Sequence, residues 1–180
     1  MRIQVEVPSG SVKPINLLPS DLYTVAIAKE PEVLDSKKEL ESGMTQKHVA
    51  VQLVVLSHNS DYVGACFNVF LTLPNSQIPE HMEKIGDMMG GAKEERYIKY
   101  ARRLWSFYAS FCGYPSIDAM PSTDEMEWQV GMLATIPIVL TEKEGQKVNE
   151  IPYSALPVPV DHSVIDLYKD AVNALVEMAG

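Results

Sequence analysis

The residues of this chain that could bind a ligand are mainly cationic and aromatic. Five cations lie on or beside an alternating apolar stretch: Lys29, Lys37, Lys38, Lys47 and His48. Tyr62 and Phe70 lie on the next such stretch, on its less apolar face. Aromatic rings stack on bases at about 1–3 kcal/mol each, while nearby cations hold phosphates. The pattern predicts a surface for a single nucleic-acid strand, with the cations on phosphates and the rings on bases.

A purely structural interpretation of the same residues is also open. Tyr62 and Phe70 would then pack beneath a long loop or an N-terminal strand. Lys37 and Lys38 would only keep that loop soluble. The two interpretations differ in whether the rings are exposed on the surface.

Residue patterns typical of enzymes are weak in this sequence. The four histidines are scattered, without the spacing of metal ligands, and Gly90-Gly91 lacks the Lys and Ser/Thr of a P-loop. Asp124, Glu125 and Glu127 form a polar run that fits a solvated surface. A two-carboxylate nuclease site is the remaining enzymatic alternative. We therefore expect a protein that is not an enzyme and has no catalytic residue, metal or cofactor.

Composition and charge favour a soluble intracellular protein. The 180 residues are 46% hydrophobic, which is enough for one domain with a core. The net charge is −9, and residues 118–180 carry 3 Lys+Arg against 11 Asp+Glu, which argues against binding duplex DNA through its phosphates. Cys66 and Cys112 lie in apolar stretches and predict reduced thiols in the cytoplasm. No segment has the pattern of a signal peptide or a membrane span.

Alternation of apolar and polar residues predicts an antiparallel β structure. Strands are expected over 2–7, 22–28, 47–56, 62–71, 132–140 and 146–153. The strands 47–56 and 62–71 would form a hairpin through the turn formers of 57–61. The polar segment 35–46 predicts a long mobile loop, and Pro137 predicts an edge or a bulge.

Helical spacing of apolar residues predicts two helices. The first covers 94–112 and ends at Gly113, and it carries an outward basic stripe: Arg96, Lys99, Arg102 and Arg103. The second covers 164–178 and follows the Pro-rich stretch 152–159, and it would dock on the body or on a partner.

The order of these elements predicts a mainly β protein with helices. We expect an OB-fold-like barrel of five antiparallel strands over residues 1–153, with a capping helix between the third and fourth strands. A Pro-rich linker and a C-terminal amphipathic helix would follow over residues 154–180.

Several short segments between residues 18 and 153 are informative through their order along the chain. They are Leu18-Pro19 before 22–25, Ser36-Lys37-Lys38, 47–56, Phe111-Cys112-Gly113, 130–134 and 144–151. In this order they resemble the OB-fold single-stranded DNA-binding proteins of tailed bacteriophages. The resemblance implies an OB barrel that binds single-stranded DNA without sequence preference or catalysis. It also implies a role in phage replication or recombination in the host cytoplasm, beside a recombinase or replication protein.

The C-terminal helix departs from that resemblance, because such proteins often end in an acidic, disordered tip that recruits partners. A helix over 164–178 would instead support a homo-oligomer. The second hypothesis is therefore a structural or adaptor protein without enzymatic activity. In that case the barrel is a scaffold, and the helix binds a protein partner or a second copy.

Overall fold

The computed structural model describes residues 17–39, 45–56, 62–73, 91–121, 125–152 and 156–179. These residues contain the strands β1 (Asp21–Ile27), β2 (Glu32–Glu39), β3 (Thr45–Val55), β4 (Cys66–Thr72), β5 (Leu133–Lys143) and β6 (Gln146–Glu150). They also contain the helices α1 (Gly91–Phe111), α2 (His162–Ile165) and α3 (Lys169–Ala179), and 3-10 turns at Ile117–Ala119 and Asp166–Tyr168. The predicted strand 2–7 and the turn 57–61 lie outside the described residues.

The six described strands form one open antiparallel sheet around β3. β4 pairs with residues 48–54 of β3 along one edge. Along the opposite edge, β2 pairs with the first half of β3 and β1 pairs with residues 53–55. β1 then pairs with β5, and β5 pairs with β6. The mainly β, antiparallel class is confirmed, whereas the sheet is open and a closed barrel is not confirmed.

β2 corrects the prediction of a long loop over 35–46. The strand runs to Glu39, and β3 already begins at Thr45. Within the described residues β2 pairs only with β3, so it is an edge strand there. Edge strands often carry charged side chains, because charge discourages pairing with another chain. The charged composition of 35–39 therefore belongs to an edge strand that shifts register between Asp35 and Glu39.

The hairpin of β3 and β4 is confirmed, with Val51 opposite Val69 and Leu53 opposite Phe67. The odd-numbered residues of both strands face the core, and they join buried side chains of β1 and β5. Fully burying an aliphatic side chain stabilises the fold by about 1.5–3 kcal/mol. β4 begins at Cys66 rather than at Tyr62, because residues 62–65 form a turn in which Ala65 donates to the Tyr62 carbonyl.

The predicted first helix is confirmed as α1, which packs its apolar side against the sheet through Leu104, Phe107 and Phe111. Arg103 corrects the predicted outward basic stripe. Its guanidinium lies 5.1 Å from the centre of the Phe107 ring and donates to the Ile151 carbonyl at 3.3 Å. Lys99 and Arg102 are exposed, so only part of the stripe faces solvent.

Pro137 lies in β5 opposite Leu22 of β1. The backbone of Thr135 exchanges hydrogen bonds with Val158, on the side of β5 away from β1. Because backbone groups alternate along a strand, the missing N–H of Pro137 lies on that same outer side. Proline is therefore tolerated here without loss of a β1–β5 hydrogen bond, which agrees with the predicted edge position.

The side chain of Asn149 joins β6 to the residues before β1. Its Oδ1 accepts from the Leu18 N–H at 2.7 Å, and its Nδ2 donates to the Leu18 carbonyl at 2.7 Å. An amide side chain carries both a donor and an acceptor. It therefore forms the two hydrogen bonds that the backbone of a neighbouring strand would otherwise form with Leu18. Leu18 is buried, and this link fixes its backbone.

The chain after β6 returns to the body. The Ser110 hydroxyl donates to the Pro157 carbonyl at 2.6 Å, and Val158 pairs with Thr135. The helix α3 then approaches Gly131, where Val172 lies close to the backbone. The described helices include none that is long and apolar enough to cross a membrane.

Candidate functional site

The outer face, defined as the side of β2, β3 and β4 that points away from the core, carries the candidate site. Its side chains form rows across the strands because the register aligns them. The first row holds Leu34, His48 and Thr72. The second row holds Glu32, Ala50 and Phe70, and the third holds Gln52 and Asn68. These three described rows thus combine one ring, two amides, one imidazole and one carboxylate.

Phe70 is the ring of this face, and its residue is 56% exposed. Its neighbours along β4, Val69 and Leu71, are buried, so the strand alternation forces Phe70 outward. His48 lies diagonally from Phe70, and its Nδ1 is 3.2 Å from the Thr72 hydroxyl oxygen. This hydrogen bond fixes the imidazole beside the ring. The arrangement offers a flat apolar surface bordered by polar groups.

Two of the predicted cations take part in exposed ion pairs. Lys29, in the connection from β1 to β2, lies 3.5 Å from the Glu32 carboxylate. Lys47 lies 3.9 Å from the Asp35 carboxylate. Lys47 has the parity of the core-facing residues of β3, so it points to the opposite side of the sheet from His48. The structure therefore brings Lys29 to the border of the outer face and does not bring Lys47 there.

The other predicted site residues separate further. Lys37 and Lys38 belong to β2, but their side chains lie outside the described residues. Tyr62 precedes β4 and packs against the hydrophobic core. Its predicted place on the outer face is therefore wrong. The ring is packed, as in the purely structural interpretation of the sequence.

Sequence reasoning missed four residues of the outer face: Glu32, Leu34, Ala50 and Thr72. Continuing the alternation of β4 from Phe70 would have found Thr72. Glu32 and Leu34 carry no such signal, because they precede a segment with the polarity of a loop. Within the described ranges, no three His, Cys, Asp or Glu side chains cluster as metal ligands would.

A second surface lies at the C-terminal segment. Of the ten exposed large hydrophobic side chains among the described residues, six fall within 156–179. Leu167 is the most exposed of them, at 77%. Between this segment and the body lies a half-open cleft of about 470 Å³, bordered by Phe111, Gly131, Leu133 and Lys169.

Burial raises the pKa of three groups near the core. The pKa of Cys112, whose residue borders the cleft, lies above its usual value because the thiol is desolvated. The pKa of Tyr108 is raised mainly by burial as well, although the Glu127 N–H donates to its oxygen at 3.0 Å. The pKa of Tyr23 is raised by burial and by the charge of Asp21. None of these groups lies on the outer face.

No protein-family model matches this chain, and no curated protein matches it.

Proposed function

We propose that this protein binds single-stranded DNA, without regard to sequence, on the outer face of β2, β3 and β4. The observation that carries the proposal is the exposed Phe70 ring on the outer face, next to His48 and two amides. A base can stack on such a ring whatever its identity, because every base has a π face. Duplex DNA hides these faces and does not offer them to the ring.

The strand order supports an OB-like arrangement, which we include in the proposal. β1 and β2 lie along the same edge of β3 and together correspond to one interrupted strand. Counted this way, the described residues form five strands, with α1 between the third and the fourth. OB-folds bind oligonucleotides on the face of their second and third strands. In this chain those strands are β3 and β4, which carry Phe70 and His48.

The charges of the site fit a binding mode in which stacking contributes more than phosphate contacts. Lys29 and Lys47 are paired with carboxylates, but exposed ion pairs contribute only about 0–1 kcal/mol. A phosphate on the outer face can therefore compete for Lys29, whereas Lys47 points to the opposite side of the sheet. Lys37 and Lys38 on β2 would add further phosphate contacts. The resemblance to phage proteins supports a role in phage replication or recombination, beside a recombinase or replication protein.

The test is a fluorescence anisotropy titration of labelled oligo-dT at two salt concentrations. We expect Phe70→Ala to weaken binding by about 5- to 150-fold, the equivalent of one lost stacking contact. Leu22→Ala is the matched control, because Leu22 is 58% exposed but lies on β1. Changing both Lys37 and Lys38 to Ala should reduce the salt dependence. Absence of binding by the unmodified protein at low salt would refute the proposal.

A second candidate function is that of an adaptor or homo-oligomer, which the apolar surface of residues 156–179 favours. Leu167→Asp tests it, since this side chain is 77% exposed and its replacement leaves the core intact. An adaptor or oligomer built on this segment should lose its assembly in light scattering measured after gel filtration. A protein that acts through the outer face should keep its affinity for oligo-dT.

A further inference from the structure

Two amide side chains lie next to the exposed ring. Gln52 of β3 and Asn68 of β4 are direct cross-strand partners on the outer face. Asn68 is two residues from Phe70 on the same strand, and Gln52 is diagonal to Phe70. Side chains of direct partners begin about 4.5–5.5 Å apart, so both amides reach the same ligand. Asn68 is exposed, and Gln52 is half-buried.

A shallow slot, defined here as the space over Ala50, lies between these groups. Ala50 is opposite Phe70 on one side and opposite Glu32 on the other. Along β3 it is flanked by His48 and Gln52, each about 6.5–7 Å away. A methyl group leaves this position low while its neighbours stand higher. A base lying over Ala50 would thus have the Phe70 ring along one side and the two amides at one end.

The amides of the slot have hydrogen-bonding capacity to spare. Among the described residues, no side chain hydrogen-bonds with the amide of Gln52 or of Asn68. Each amide places a donor beside an acceptor and can rotate to exchange them. The Watson–Crick edge of every base also places a donor beside an acceptor. An amide pair can therefore bind any of the four bases, provided that this edge is not already paired.

We infer that the outer face binds unpaired bases by their Watson–Crick edge, through Gln52 and Asn68, while Phe70 stacks on the same base. The inference rests on the proposed function and adds how that site rejects paired strands. Stacking alone would tolerate a base whose Watson–Crick edge is blocked. Recognition by the amides would not tolerate such a base, because the blocked edge could no longer hydrogen-bond with them.

The experiment compares oligo-dT with an oligomer of the same length in which every thymine is methylated at N3. The methyl group removes the edge donor and leaves the stacking face intact. We expect the unmodified protein to bind the methylated oligomer about tenfold more weakly. A Gln52→Leu, Asn68→Leu double variant should bind oligo-dT more weakly and no longer distinguish the two oligomers. If that variant fails to fold, Asn68→Ser, at an exposed position, takes its place. It should show a smaller ratio between the affinities for the unmethylated and the methylated oligomer.

Phe70→Ala is the control, because it should weaken binding of both oligomers and keep their ratio. Equal affinity of the unmodified protein for both oligomers would overturn the inference and leave the proposed function standing. Absence of binding to oligo-dT would instead overturn the proposed function. A ratio that is unchanged in the amide variants would also overturn the inference, because it would place the discrimination elsewhere.

Discussion

Phe70 supplies the stacking surface of the proposed site, whereas Tyr62 packs against the core. The alternation of β4 predicts an outward Phe70, and the structure confirms it at 56% exposure. Tyr62 precedes the strand, where a turn breaks the alternation, and it packs against the core. The period of two holds only while the backbone stays extended. To predict the side on which the Tyr62 ring lies, one must know where β4 begins, and the sequence alone does not show this.

In the proposed binding mode, Glu32 lowers the affinity of the outer face for a polyanion. Its carboxylate pairs with Lys29 at 3.5 Å and adds a negative charge beside the Ala50 slot. In Glu32→Gln, Lys29 is free to contact a phosphate. We expect binding of oligo-dT at low salt to tighten by about two- to fivefold, the value of a modest surface charge interaction. The salt dependence should become steeper, because one more phosphate is neutralised.

The control for this prediction is Glu142→Gln, which changes the net charge equally but lies at the far end of β5. Anisotropy titrations over a range of salt concentrations measure both variants. An equal gain in both would mean that only the overall charge matters, and it would contradict a local role of Glu32.

Stability should fall at alkaline pH because burial raises the pKa of Tyr23, Tyr108 and Cys112. A raised pKa means that the folded protein favours the protonated form. The stability from these groups is fully present well below the unfolded pKa of the thiol, 9.0, and is lost as pH rises through the folded pKa values. Urea unfolding at pH 8 and pH 10.5 measures this loss. Tyr23→Phe should show a smaller loss, and a free energy of unfolding that does not fall would contradict the prediction.

At the scale of elements, sequence patterns identified those that bury a regular apolar face. β1, the β3–β4 hairpin and α1 follow their periodicities closely. β2 was missed because an edge strand needs little apolar surface, and its charges resemble those of a loop. Arg103 was misplaced because its long side chain turns back over Phe107 to reach the Ile151 carbonyl. Such contacts depend on distant strands and leave no local signal.

The attachment of α3 to the body depends on Gly131. Its φ is +91°, and a Cβ there would lie 2.8 Å from Val172 Cγ1 and 3.3 Å from Val176 Cγ2. Gly131→Ala therefore combines backbone strain of about 1–2 kcal/mol with a steric clash. We expect this variant to have a lower free energy of urea unfolding than the unmodified protein. The substitution should also speed amide exchange more in residues 169–179 than in α1.

Gly145→Ala is the matched control for this variant. Gly145 has a φ of +77° in the turn between β5 and β6, and a Cβ there would meet nothing within 4 Å. It should carry the backbone strain without the clash, so exchange in α3 should stay slow. Equal exchange rates in the two variants would mean that the contact with Val172 does not hold the helix.

At the scale of the whole molecule, the proposed function takes its preference for single strands from the net charge and from the exposed Phe70 ring. The net charge of −9 repels DNA in general, and affinity for a duplex depends mainly on neutralised phosphates. In the proposed mode, a single strand would gain one base stacked on Phe70, at about 1–3 kcal/mol. We therefore expect a single strand to bind about tenfold or more tightly than a duplex of equal length, measured by competition in anisotropy. Phe70→Ala should narrow this difference, and equal affinities of the unmodified protein for the two would contradict the proposed mode.

The pairing of β1 with β5 also sets the order in which the chain can fold during synthesis. β1 ends at Ile27, and its partner strand begins at Leu133, roughly 100 residues later. At about 5–20 residues per second, a ribosome needs about 5–20 s to supply that partner. Of its two partners in the described sheet, β1 meanwhile has the last residues of β3, while the β3–β4 hairpin can form from neighbouring residues. The hairpin that carries Phe70 can therefore form well before the sheet around it is complete.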